Sequence, residues 1–333
     1  MTGRLKVGVI GLGFFGSRHA RAFHDHPAAE LIAVADLDAV RLEDTIAATG
    51  AKGYADYRAL LALPELQAVS ICLPDRQHEE AAIAAAGAGT AILLEKPLAH
   101  TSETARRIVA AAERCGARLM IGHILRFDTR YVQVFDAASP ENLGQPIHLR
   151  AKRNATRSVA RRLGASSSIL FYMGVHDVDA MQWICRSRIS KVYAQKREAL
   201  GTGNEDALYA VLNFENGAIG SLDYSWAWPD GLMNGFRSAF EIIGTRSAAA
   251  LDVSDQGLSF VTDAGTTGGD THLWPEINGR IAGGLADEIG HFVTATLAGT
   301  PYRQHYREAF DAIPVLDALA ESARSGQPVA VLR

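Results

Sequence analysis

Cysteine is scarce: three residues in 333, at positions 72, 115 and 185, with no CxxC pair among them. That scarcity argues against a disulfide framework or a thiolate zinc site and suits reduced thiols in a cytoplasm. Long apolar runs are also missing. The nearest imitation, residues 7–15, follows Arg4 and Lys6 like a secretory leader, but it is short and broken by Gly8, Gly11 and Gly13. A membrane span needs roughly 18 apolar residues, so no membrane partner is expected. Neither sign of charge dominates: Lys plus Arg number 33 and Asp plus Glu 37, a net of −4. This near balance gives no footprint for nucleic acid. Internal repeats are absent too. What remains is a globular composition, 48% hydrophobic and 21% charged. It excludes wholesale disorder, and the length calls for two domains.

The first third alternates short apolar runs with Ala-rich helical stretches. Strands are expected at 6–10, 31–35, 68–72, 91–94 and 118–121, with helices at 16–24, 41–49, 55–61, 78–88 and 101–115. Strands buried on both faces read as continuous apolar runs, and β–α alternation implies a parallel sheet with helices on both sides. Near Gly122 the pattern changes, which sets domains at 1–122 and 123–333. A helix at 126–137, a strand at 147–153 and a helix around 169–185 lead into a strand-rich stretch from 189 to 253. Its strands fall at 192–198, 207–214, 218–226 and 238–243, with a hairpin turn at Glu215-Asn216-Gly217. Strands without intervening helices imply a mostly antiparallel sheet. Closing helices at 285–297 and 306–325 are placed in the second domain or packed back on the first. The glycine-rich stretch 264–270 reads as a mobile loop.

Gly11-Leu12-Gly13-Phe14-Phe15-Gly16 is a GxGxxG placed directly after a strand and directly before a helix. Gly11 permits a tight turn, Gly13 lets backbone approach a pyrophosphate, and Gly16 lets helix and strand pack closely. The second strand ends at Asp36, where a carboxylate can accept hydrogen bonds from an adenosine ribose. A carboxylate there repels a 2′-phosphate, and Leu37 and Asp38 offer no cation. Arg41 sits a turn into the next helix. NAD is therefore favoured over NADP.

These residues, taken with the strand end Leu73-Pro74-Asp75 and His78, with Glu95-Lys96-Pro97, and with Gly174-Val175-His176-Asp177-Val178-Asp179, resemble the Gfo/Idh/MocA oxidoreductases. The closing Ser322-Ala323-Arg324-Ser325-Gly326 is similar as well. The resemblance implies a Rossmann domain followed by an α+β domain with a large, mostly antiparallel open sheet. It further implies oxidation of a secondary hydroxyl of a sugar or cyclitol such as inositol, by hydride transfer to nicotinamide. Cofactor contacts would come from Gly11, Gly13, Phe14, Phe15, Gly16, Asp36, Leu73, Pro74, Asp75, His78, Glu95, Lys96 and Pro97. The family's lysine points at the reacting carbon, so Lys96 is expected to polarise the substrate oxygen, with a cis Lys96–Pro97 bond. His176 corresponds to the family's general base, and Asp179, three residues on, could orient its ring.

Several positions depart from the family. Tyr172 stands where an aspartate is usual, four residues before His176 and on the same helical face; a hydrogen bond to substrate is favoured over a phenol perturbed by Lys96. Asp75 replaces a frequent asparagine. His123 and Arg126 open the second domain and are candidate substrate contacts, although His123 equally suits a backbone-satisfying role. Lys152, Arg153, Arg157, Arg161 and Arg162 form a local basic excess. An anion-recognising loop with Arg153 and Arg157 at the substrate competes there with a solvated charge run. His24-Asp25-His26 reads as surface, so no metal is expected. Two other functions compete with a dehydrogenase: a glycosidase-like enzyme using transient oxidation, and a non-catalytic NAD- and sugar-sensing regulator. Retention of both Lys96 and His176 speaks against the sensor. An open sheet face calls for a homodimer or homotetramer, and Tyr224, Trp226 and Trp228 are candidates to line it, with core packing as their competing role.

Overall fold

The computed structural model describes residues 3–164, 167–254, 256–263 and 265–332. Two compact units divide the chain: residues 1–127 with 273–310, and residues 128–272 with 311–333. The cut falls five residues beyond the expected boundary at 122. It moves His123 and Arg126 into the first unit, and residues 273–310 return to that unit.

The first unit opens with β1 (Leu5–Ile10), α1 (Phe14–Asp25), β2 (Ala29–Ala35), α2 (Ala39–Thr49), β3 (Lys52–Tyr54) and α3 (Tyr57–Leu61). It continues through β4 (Ala68–Ile71), α4 (His78–Gly87), β5 (Ala91–Glu95), α5 (Ser102–Cys115) and β6 (Leu119–Gly122). All six strands run parallel in the order β3-β2-β1-β4-β5-β6. Their apolar runs are buried almost without exception in β1, β4, β5 and β6, as a sheet covered on both faces requires. Polar side chains start the helices where expected: Asp38 accepts from the Val40 and Arg41 amides at 3.0 and 3.2 Å, and Thr101 from Thr104 at 3.1 Å. The strand order reverses between β1 and β4, which opens a crevice at their carboxyl ends.

The second unit carries α6 (Thr129–Ala137), α7 (Pro140–Leu143), β7 (Pro146–Thr156), α8 (Arg157–Leu163), a π-helical turn Leu170–Gly174 and α9 (Val175–Cys185). Then follow β8 (Ile189–Arg197), β9 (Ala207–Phe214), β10 (Ile219–Trp228), β11 (Phe236–Gly244), β12 (Ala248–Asp252), β13 (Ser259–Thr262) and β14 (Gly265–Gly268). After these the chain returns to the first unit with β15 (Glu276–Ile277), β16 (Arg280–Ile281) and α10 (Gly283–Ala298). Helix α11 (Tyr306–Ser325) and β17 (Val329–Ala330) close it.

The large sheet of the second unit has the order β12-β11-β7-β10-β9-β8-β17, antiparallel throughout except for the β7–β10 pair. Alternation decides its faces. Leu149, Ala151, Leu208, Leu212, Leu222, Tyr224 and Trp226 are buried on one side, while Tyr209, Val211 and Ile219 are exposed. Helices α6 and α9 join over the covered side through Phe135 and Trp183, stacked with ring centres 4.5 Å apart. Tyr224 and Trp226, weighed between an oligomer face and the core, are fully buried core residues, in phase with Leu222; Trp228 is partly exposed.

The stretch read as a mobile loop also differs: β14 lies within it and pairs antiparallel with β13. Both strands are exposed almost throughout, and the Gly-Thr-Thr-Gly sequence of β14 carries no apolar alternation to announce it. Ala264 lies outside the described residues, as do Met1 and Arg333 at the outer ends of the expected domains.

Candidate active site

The glycine loop is built as its spacing requires. Gly11 has φ +83°, and a Cβ there would stand 2.8 Å from the Cys72 carbonyl oxygen; on Gly16 a Cβ would meet the Gly11 carbonyl oxygen at 1.7 Å. Gly13 is different: nothing lies within 4 Å of where its Cβ would be. This residue begins α1, and no side chain caps the helix there. Open space in front of uncapped helix N–H groups is what a dinucleotide pyrophosphate needs. A hollow of about 300 Å³ adjoins the loop, lined by Leu12, Gly13, Phe14, Ser17, Arg41, Asp44 and Thr45. The residues present thus fit a bound dinucleotide.

Asp36 has a second task. Its Oδ2 accepts the Leu12 amide at 2.5 Å and its Oδ1 the Asp38 amide at 2.8 Å, so it ties the end of β2 to the glycine loop. Each oxygen keeps a lone pair for a ribose hydroxyl. Phe14 and Phe15 meet Trp274 edge-on, with ring centres 5.9 and 5.3 Å away. Arg21 of α1 holds Glu276 with two bonds of 2.6 and 3.1 Å. This aromatic and ionic fastening of residues 274–276 to α1 escaped the sequence reading, because its partners lie far along the chain.

At the ends of β4 and β5, His78 does the positioning. Its Nδ1 lies 2.8 Å from the Pro97 carbonyl oxygen and its Nε2 2.8 Å from that of Leu73, so one imidazole spans both strand-end loops. Burial pulls the ring's pKa below its ordinary value, and the two carbonyls oppose that pull. The Lys96–Pro97 peptide is cis, as expected. Asp75 turns an oxygen to the Arg76 amide at 2.8 Å. The Glu95 carboxylate, expected among the cofactor contacts, is buried, and His19 Nε2 stands 3.1 Å from its Oε1. His123 is 1% exposed. Arg126 is 3% exposed and its guanidinium pairs with Glu308, so it is held within the first unit rather than presented to substrate.

The second unit holds the other candidates. Along residues 173–181, His176 alone is not buried. Tyr172, on the π-helical turn just before, is likewise partly exposed. A π turn inserts an extra residue per turn and occurs often at functional sites. Arg162 donates to the Tyr172 hydroxyl at 3.2 Å, a cation beside the phenol that spacing alone did not reveal. Asp179, expected to steady the His176 ring, is itself buried.

Arg153 reverses its expected role. It is 6% exposed, and its Nε and a terminal nitrogen donate to the two Asp177 oxygens at 2.9 and 2.7 Å. The signal was available: Arg153 shares the parity of Leu149 and Ala151 on β7, hence their inward face. Arg157 donates to the Ala227 carbonyl at 3.0 Å, and Arg161 pairs with Asp230.

A parallel sheet with a glycine-lined crevice at its switch point, joined to a second unit built on a broad mixed sheet, defines a dinucleotide-dependent oxidoreductase of two-domain type. A family profile described as "Oxidoreductase family, NAD-binding Rossmann fold" matches residues 5–123, and one described as "GFO/IDH/MocA C-terminal domain" matches 120–250. The chain belongs to the Gfo/Idh/MocA family of oxidoreductases.

Among its relatives, inositol 2-dehydrogenase of Rubrobacter xylanophilus is 28% identical, over 98% of this chain and 92% of the relative. Myo-inositol 2-dehydrogenase of Thermotoga maritima is 26% identical, over 89% and 90%. Among solved structures, GenD2 from gentamicin A biosynthesis, in complex with NAD, superposes with a TM-score of 0.87 at 26% identity, over 100% of this chain and 98% of that one. Among the described residues, no helix is long and apolar enough to cross a membrane.

Proposed function

We propose that the protein is an NAD-dependent dehydrogenase that oxidises a ring hydroxyl of a cyclitol or closely related sugar, with inositols the first substrates to try. Two relatives that align along nearly the whole chain are named for inositol oxidation. The observation that carries the reading is the placement of Lys96. It follows β5 directly, at the carboxyl edge of the sheet that bears the glycine loop, on a cis peptide whose proline carbonyl lies 2.8 Å from His78. Ligands bind at that edge in open parallel sheets.

In this proposal the nicotinamide, when bound, supplies the hydride acceptor. Lys96 donates a hydrogen bond to the reacting oxygen and stabilises the negative charge that develops on it. His176 takes the hydroxyl proton, and Tyr172, steadied by Arg162, hydrogen-bonds substrate. Asp36 favours NAD over NADP by repelling a 2′-phosphate, although Arg41 lines the adjoining hollow. The exposed sheet face with Tyr209, Val211 and Ile219 is the surface we assign to a homodimer or homotetramer.

The test is NADH formation, followed by absorbance, across free inositols, aldoses, sugar phosphates and uronates. Turnover with at least one free inositol is expected, together with a Lys96→Met variant whose kcat falls by about 10³-fold or more, far more than its NAD binding weakens. Full activity in Lys96→Met, or no turnover with any polyol, would sink the proposal.

A further inference from the structure

Beneath the end of β5 lies a group of ionisable side chains that the reaction above does not use. His19 of α1, Glu95 of β5 and Glu288 of α10 all belong to the first unit and are 0%, 8% and 0% exposed. One nitrogen or oxygen of each lies within 4.8 Å of the others. His19 is held on both sides, with Nδ1 2.9 Å from Ser70 Oγ and Nε2 3.1 Å from Glu95 Oε1. The other Glu95 oxygen accepts the amide of Lys96 itself, at 3.2 Å. Gly122, at the end of β6, leaves the room: a Cβ there would come within 3.1 Å of Glu95 Oε1 and 3.4 Å of Glu288 Oε1. Neither carboxyl oxygen of Glu288 has a hydrogen-bond partner among the described residues.

A fully buried carboxylate without a donor is not a stable arrangement, and a second carboxylate within 4.8 Å makes its ionisation less favourable still. A cation would relieve them, but the enclosed cluster offers three donors, short of the four that structural zinc takes. A proton needs only two oxygens. We propose that Glu288 is a positioning residue, which by sharing a proton with Glu95 completes a buried chain, His19–Glu95–Glu288, that fixes the peptide from which Lys96 projects. The inference rests on Lys96 acting at the substrate.

The surrounding charges agree. Burial and the neighbouring Glu95 raise the Glu288 carboxyl to about 8. Burial opposes the charge on Glu95, yet the bond from His19 and the nearby cations hold it below its ordinary value. Burial also opposes the imidazolium of His19, but the Cys72 sulfur and Glu95 raise it well above its usual range. Imidazolium, carboxylate and neutral acid together sum to zero charge. Helix α10 packs on α1, β1 and the turn Ile124–Phe127. From α1 the group facing Glu288 is His19. Lys6 of β1 sits at the opposite end of the parallel strands, and Arg126 of the turn is occupied by Glu308.

Infrared spectroscopy of the full chain, in the absence of any cofactor, tests the shared proton directly. A protonated-carboxyl band should be present at neutral pH, fade as the pH rises through about 8, and be missing in Glu288→Gln. Positioning is tested separately. Glu288→Leu should lower kcat about tenfold with KM for NAD unchanged, and Glu288→Gln, which keeps a donor, should restore it to within about threefold. The wild type should lose kcat above pH 8, and the Gln variant should not. A missing band, a band that persists in Glu288→Gln, or a stoichiometric metal ion in the purified protein would overturn the proposal. So would a Glu288→Leu enzyme with wild-type kcat. The infrared result stands whatever Lys96 does, so failure of the pair and failure of the catalytic reading are told apart by the Lys96→Met variant.

Discussion

Each unit of the molecule buries charge, and the two do it differently. In the second unit Arg153 and Asp177 meet face to face through two parallel bonds of 2.9 and 2.7 Å, with the Tyr131 hydroxyl 3.3 Å from the same guanidinium. Burial opposes the guanidinium charge, but Asp177 raises the pKa of Arg153 further, and burial pushes the Tyr131 phenol up to about 12. Arg153 and Tyr131 therefore both keep their protons at neutral pH. In the first unit, Glu288 has no such geometric complement, and its proton is the only thing that balances it. A buried pair matched atom for atom is architecture; a buried acid matched by a proton is adjustable. The two units therefore answer differently to mutation and to pH.

The largest effect is expected where the matching is complete. Arg153→Met leaves Asp177 buried and unpaired, which should cost about 3–5 kcal/mol in urea unfolding, by an amount nearly constant from pH 5 to 8. Replacing both partners, Arg153→Met with Asp177→Leu, should recover most of that loss, because it is the orphaned charge that destabilises. A single mutant of nearly native stability whose KM for substrate rises would break the comparison and return Arg153 to the substrate.

The Glu288 cluster should give a smaller effect with the opposite pH behaviour. In the unfolded chain Glu288 loses its proton near 4.5; in the folded chain it holds it to about 8. Between those values the folded state binds the extra proton, so this residue makes stability fall as pH rises, levelling off above 8. Glu288→Gln has no such slope. Its stability relative to wild type should therefore climb from pH 5 to 8 and then stay flat, a change of roughly 2–4 kcal/mol allowing for relaxation of the pair. Parallel curves for the two proteins would show that Glu288 is ionised like any surface acid.

These contrasts also mark how far the chain could be read before its coordinates. The first sheet was legible because its strands are uninterrupted apolar runs and its glycines sit where only glycine fits, at Gly11 and Gly16. The cis Lys96–Pro97 bond was legible through a short motif. Arg153 was misplaced because a cluster of basic residues suggests a surface, although its parity with Leu149 and Ala151 pointed inward; for Tyr224 and Trp226 the sequence left oligomer face and core open, and their parity with Leu222 settles the core. Glu288 left no local trace. Nothing in Asp287-Glu288-Ile289 separates a buried glutamate from a solvated one, because its burial is produced by β5 and α1, distant in sequence. Long-range pairing, and not local propensity, decides such residues.

The smallest expected effect comes from the surface counterpart of the buried pair. Arg161 and Asp230 form an ion pair that joins α8 to the segment after β10, and both side chains are about half exposed, at 58% and 47%. Asp230 also accepts the Ser158 amide at 2.8 Å, so the helix keeps one tie to that segment without the arginine. Exposed pairs of this kind give up in side-chain entropy and screening most of what they gain. Arg161→Ala should leave the unfolding midpoint within measurement scatter at every pH at which Arg153→Met is severely weakened. The variant also decides what the basic run of α8 is for. If it recognises an anionic substituent, KM for sugar phosphates or uronates should rise about tenfold while KM for free inositols stays put, since losing a charge-assisted bond of this kind is worth roughly one decade. If KM is unchanged for every anionic substrate turned over, Arg161 serves only to hold α8 against Asp230, and the excess of arginine there is a solvated helix face.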